Sequence, residues 1–85
     1  MATISTSYVV TTTSQTIVGL DNVTQYVTIV SGGDTYIGDS VVTTASGIKM
    51  ANNDVLQFTL PEGCDVWALT NIGTHVVKVL ITRVD

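Results

Sequence analysis

Turn signals recur along this chain at intervals that leave room for short strands and for little else. They fall at residues 19–22, 31–34, 46–47, 52–54, 61–63 and 71–74, and the stretches between them are rich in Val, Ile and Thr. Branching at Cβ costs rotamer freedom in a helix but packs well on a pleated surface. No segment carries helical periodicity, and the spacing leaves no space for βαβ crossovers. The expectation is an all-β fold, a small antiparallel β-sandwich or barrel of about seven or eight short strands. Strands are predicted near 15–20, 25–31, 34–38, 40–44, 54–60, 64–70 and 75–83. SGGD at 31–34 reads as a hairpin turn with glycine supplying positive φ, and Gly63 as a left-handed residue behind Pro61.

Residues 1–14, MATISTSYVVTTTS, contain no charge, Gly or Pro. They read as an N-terminal strand or extended arm ahead of a β-sandwich domain over 15–85. Two roles are open: pairing with a neighbouring subunit, or forming the first strand of the same sheet.

Alternation sorts the later strands into faces. In DVLQFTL, Leu56, Phe58 and Leu60 share one face, and Val55, Gln57 and Thr59 the other. In DVWALT, Trp67 and Leu69 oppose Val66 and Ala68, with Trp67 expected in the core. In QYVTIVS, Val27 and Ile29 oppose Tyr26, Thr28 and Val30. In HVVKVLITR, Val77, Val79 and Ile81 make one face while Val76, Lys78, Leu80 and Thr82 make the other. This last face is too apolar for water, so Val76 and Leu80 call for cover from another sheet or another chain. Ile4, Tyr8, Val10, Tyr26, Val30, Val76 and Leu80 are therefore the candidate residues of a subunit or partner interface.

Size and charge strengthen the case for association. A domain of 85 residues buries only about 60–65% of its unfolded surface and is marginal alone. A disulfide within the chain is excluded by the single cysteine, Cys64. One Cys and one His do not make a zinc cage. Oligomerisation remains as the stabilising device, with a homo-oligomer as the expected state. Charged residues make up 12% of the chain against roughly 25% in an average soluble domain, so much of the surface is free to meet a neighbour.

The net charge of −4 and the three scattered cations, Lys49, Lys78 and Arg83, argue against nucleic acid and anionic membranes as partners. Apolar runs are far shorter than the ~20 residues of a membrane-spanning helix. MATISTSYVV lacks the basic and apolar regions of a secretory signal, so synthesis and folding in the cytoplasm are expected.

No constellation supports catalysis or a cofactor. His75, the one histidine, lies at a strand start, and Cys64 has no basic neighbour in sequence to lower its pKa. SGGD and ASG are not followed by a helix or a Lys-Ser/Thr pair, as a phosphate loop requires. Asp34, Asp39, Asp54 and Asp65 lie at strand ends without calcium-loop spacing and read as turn caps. Asn22-Val23-Thr24 matches a glycosylation sequon by chance. Trp67, Tyr8, Tyr26 and Tyr36 leave one alternative, a carbohydrate-binding module.

The second half resembles small β-sandwich structural proteins of tailed bacteriophage virions. The likeness runs through Tyr36-Ile37-Gly38, Val42-Thr43, Gly47, Leu56-Phe58-Leu60, Trp67-Ala68-Leu69, Gly73 and Val77-Val79, over residues 36–83. The resemblance implies a non-enzymatic capsid decoration, or cement, protein: a trimer that binds the major capsid protein and stabilises the assembled head. It implies a virion component made in the bacterial host cytoplasm. The runner-up within that class is a head-fibre base, neck or tail ring.

Overall fold

The computed structural model describes residues 2–84. Eight strands follow one another: β1 (Ala2–Val10), β2 (Gln15–Val18), β3 (Thr24–Ser31), β4 (Thr35–Gly38), β5 (Ile48–Met50), β6 (Val55–Leu60), β7 (Val66–Leu69) and β8 (His75–Val84). They pair as one long hairpin doubled back between β4 and β5: β1 with β8, β2 with β7, β3 with β6, β4 with β5, all antiparallel. The additional pairings β3–β8 and β4–β7 roll this ribbon up. The result is two four-stranded sheets, β1-β8-β3-β6 and β2-β7-β4-β5. This is the strand order of a jelly roll, in which two sheets share one core. The expected all-β sandwich is what the chain forms.

The sheets are unequal. The strands β1, β8, β3 and β6 hold nine, ten, eight and six residues. Those of the other sheet hold four, four, four and three. We call them the long and the short sheet. Val10, Val27, Ile29, Leu60, Val77 and Val79 from the long sheet meet Ile17, Val18, Ile37, Met50, Val66 and Ala68 from the short one in a single apolar cluster. Each of the Val, Leu, Ile and Met side chains among them stabilises the fold by about 1.5–3 kcal/mol when taken fully out of water.

Of the predicted arm, residues 1–14, the described residues 2–14 form β1 and the turn that follows. β1 joins the long sheet along its whole length, beside β8, and forms that sheet's outermost strand.

Three expectations are corrected. Residues 40–44 are not a strand; the short strand lies at 48–50 instead. Local side-chain bonds take the backbone away from the ladder. The Val41 N–H donates to Asp39 Oδ1 at 3.1 Å, the Thr43 N–H to Ser46 Oγ at 3.0 Å, and the Gly47 N–H to the Thr43 carbonyl at 2.8 Å. The loop so formed plugs Val42, 5% exposed, against Gly38 and Gly47, where an added Cβ would come within 2.7 and 2.9 Å of its Cγ2.

Trp67 does not point into the core. Val66 and Ala68 do, and Trp67 stands half-buried on the other face with its ring N–H donated to Asp65 Oδ2 at 3.1 Å. Nor do the glycines of SGGD take positive φ, although Gly63 does, at 77°. Gly32 is required by proximity: its N–H bonds to the Val76 carbonyl at 2.8 Å, and a Cβ there would lie 2.4 Å from that same oxygen.

At the far end of the sandwich the loop between β2 and β3 is tied to β8. Arg83 Nε and Asp21 Oδ2 are 2.7 Å apart, and Arg83 donates a second bond from Nη2 to Asp21 Oδ1 at 3.1 Å. The Gly63 N–H also bonds to the Asp21 carbonyl at 2.8 Å. The Arg83 hydrogen bond holds the Asp21 carboxyl below its ordinary value of 3.8 against the opposing effect of burial.

Two outcomes follow from these contacts. Gly32→Ala should lower unfolding free energy by about 1–3 kcal/mol, the usual cost of overpacking. Gly19→Ala, with nothing within 4 Å, should show no such loss in the same urea titration. Second, because the folded-state pKa of Asp21 is depressed, its stabilisation is present above pH 3.8 and is lost as the pH falls through the folded value. Thermal melts should drop on acidification through that window, and Asp21→Asn should flatten the drop.

Candidate interaction surface

The register of the long sheet assigns every side chain to a face. Rows run straight across it: Ile4, Ile81, Val27 and Phe58 lie side by side, as do Ser5, Leu80, Thr28 and Gln57. The first row faces the core. The second faces away, flanked by the rows Ser7, Lys78, Val30, Val55 and Thr3, Thr82, Tyr26, Thr59. Val9 and Val76 complete the outer face at its other end.

Two properties set this outer face apart. Lys78 is the only charge in the rows just named. Its apolar members are open to solvent: Val9, Tyr26, Val55, Val76 and Leu80 are between 43% and 59% exposed. Threonine, serine and glutamine fill the remaining positions. Such a face is neither a normal wetted surface nor a closed core.

The seven residues singled out from sequence divide. Tyr26, Val30, Val76 and Leu80 come together on this outer face. Ile4, Tyr8 and Val10 lie on the opposite, core-facing side, because even-numbered residues of β1 sit beside odd-numbered inner residues of β8. Val10 is fully buried and Tyr8 packs against the core, so both support the fold. Ile4 faces inward yet is 47% exposed, since it stands on the outermost strand. Sequence reading missed Val9 and Val55. Both belong to the outer face, and in Val55 the alternation within β6 already indicated it.

At the other lateral side, the outermost strands β5 and β6 leave the sandwich open. A cleft there is lined by Ile37, Gly38, Ile48, Leu56, Phe58 and Val66. Ile48 is 65% exposed.

The polar residues weighed for chemistry serve the turns. His75 Nδ1 lies 2.9 Å from the Asp34 carbonyl, and its ring covers Gly33, where a Cβ would come within 2.4 Å of it. Asp39 and Asp54 accept bonds from the backbone N–H groups of Val41 and Ala51. Asp34 pairs with Lys49 at 3.7 Å across solvent. Among the described residues no three His, Cys, Asp or Glu side chains gather as metal ligands. Cys64 is exposed in the turn between β6 and β7. The four aromatics weighed for sugar stacking divide over three faces: Tyr8 faces the core, Tyr26 the outside of the long sheet, and Tyr36 and Trp67 share the outside of the short one.

No family model and no curated protein matches the chain. A solved structure from work showing that Bacillus endospore appendages form a novel family of disulfide-linked pili is similar in fold. The match covers 99% of this chain and 87% of the other, with a TM-score of 0.63 and 13% identity. At that identity the likeness is one of fold.

Proposed function

We propose that this chain is a non-enzymatic structural subunit that self-associates into a larger assembly, with the outer face of the long sheet as its contact surface. The observation that carries the reading is that face itself: exposed valines, leucine and tyrosine among hydroxyl and amide side chains, with Lys78 as the single charge in its rows. Burying it costs little desolvation, because hardly any ionic group loses water. The likeness in fold to a pilus subunit supports the same direction.

Two settings fit a subunit of this kind. The sequence resemblance favours capsid decoration, a trimer that binds the major capsid protein of an assembled phage head. Binding only the assembled shell would stabilise it by linkage. The fold likeness favours an appendage polymer. A polymer of these residues would be held differently from a disulfide-linked one. One cysteine per chain joins copies only in pairs, so any continuous run of these 85 residues depends on non-covalent contacts.

Light scattering on a sizing column tests the reading. The wild-type protein is expected well above the 9.0 kDa of one chain. Val76→Glu/Leu80→Glu should shift it toward one chain while changing fold stability by about 1 kcal/mol or less, the range of strand-surface substitutions. A wild-type monomer at high concentration, or a variant that assembles as before, contradicts the proposal.

A further inference from the structure

We infer that copies of this chain join edge to edge and head to tail, β6 of one copy pairing antiparallel with β1 of the next, so that the long sheet runs on through the assembly. This rests on the self-association proposed above and adds to the outer face a second contact, along the edges of the same sheet.

The hydrogen-bond pattern shows which groups are available. The Ser31 N–H donates to the Asp54 carbonyl and the Gly32 N–H to the Val76 carbonyl, at 3.0 and 2.8 Å. Odd residues of β3 therefore bond toward β6, and even ones toward β8. Alternation along antiparallel ladders then turns the N–H and C=O groups of Val55, Gln57 and Thr59 outward at the β6 edge. At the β1 edge it does the same for Thr3, Ser5, Ser7 and Val9. Every one of these residues carries its side chain on the outer face. Pairing the two edges therefore sets outer face beside outer face and inner beside inner. Because the sheet has an even number of strands, β6 and β1 run in opposite directions, and a simply translated copy meets the first in antiparallel sense.

The side chains agree. With Ser5 of the second copy opposite Gln57, its Ile4 stands beside Phe58 and extends the row Ile4, Ile81, Val27, Phe58 without a break. The inward-facing Ile4, 47% exposed, would reach the mouth of the apolar cleft that Leu56, Phe58 and Ile48 leave open. Two incomplete apolar borders would thus complete each other.

Charge leads to the same contact. β1 and β6 contain no charged residue, whereas Asp21, Asp34, Asp39, Asp54, Glu62 and Asp65 all lie in loops and turns. Acidic chains repel each other through their loops and meet without repulsion along these edges. Natural sheets guard such edges with Lys, Pro or bulges; β1 and β6 show regular pairing and none of these guards. A head-to-tail contact closes into a ring where its rotation allows and otherwise continues as a filament.

Cross-linking decides the matter. In a Cys64→Ser background, Ser5→Cys and Gln57→Cys are prepared separately and treated with a short bismaleimide, alone and mixed, beside light scattering of each sample. A cross-linked dimer in the mixture and in neither variant alone is the expected result. The double variant should give a ladder of multiples. Thr3→Cys with Thr59→Cys repeats the test in the same register, should the first pair disturb folding. Dimers from Gln57→Cys alone would show a two-fold β6–β6 contact and overturn the inference. So would assembled protein without mixed cross-links in either pair, which would leave self-association itself standing. Monomers in every sample would remove both.

Discussion

The pairing of β8 on both its sides organises this molecule. Its ten residues hold β1 along one flank and β3 along the other, so the last strand of the chain lies inside the long sheet and fixes the first at its edge. Strict alternation within β8 then has consequences on two surfaces. Val77 and Val79 are driven into the core, and Val76 and Leu80 are held out on the opposite side. Strands in a sheet cannot slip by one residue without exchanging those two sets. The exposed apolar face is thus a direct counterpart of the buried one.

The short sheet packs only on the inner face of the long one. Its strands are roughly half the length, and its loops do the covering. Val42 closes over the outside of β4, and the loop between β2 and β3 is drawn to the end of β8 by the paired Asp21 and Arg83. Among the described residues, no element covers the outside of the long sheet. A small domain with few charges and a complete core on one side has a reason to place the other side against a neighbour.

Much of this was legible in the sequence where alternation was long and unambiguous. β3, β6 and β8 declare their inner and outer faces by residue type alone, and four of the seven candidate interface residues fall together on the surface. β1 was less readable because ISTSYVV offers apolar residues at both parities near its end. Ile4, Tyr8 and Val10 could be assigned inward only through the register with β8. Trp67 misled for a related reason: Val66-Trp67-Ala68-Leu69 is apolar on both faces, and size suggested the core whereas register placed the smaller Val66 and Ala68 there. Residues 40–44 have strand-forming composition, but Asp39, Thr43 and Ser46 offer the backbone local partners that a propensity scale does not count. The glycines of the SGGD turn were recognisable as a turn, while the close approach of Gly32 to Val76 depends on a strand far away in sequence.

The central claim is that copies meet through the long sheet and not the short one. Amide hydrogen exchange, followed residue by residue in dilute and in concentrated protein, addresses it most directly. The amides that face outward from β1 and β6, those of Ser5, Ser7 and Gln57 among them, should slow on concentration, while those of β2 and β5 keep their rates. Slowing confined to β2 or β5, or no change in either sheet, would contradict the account.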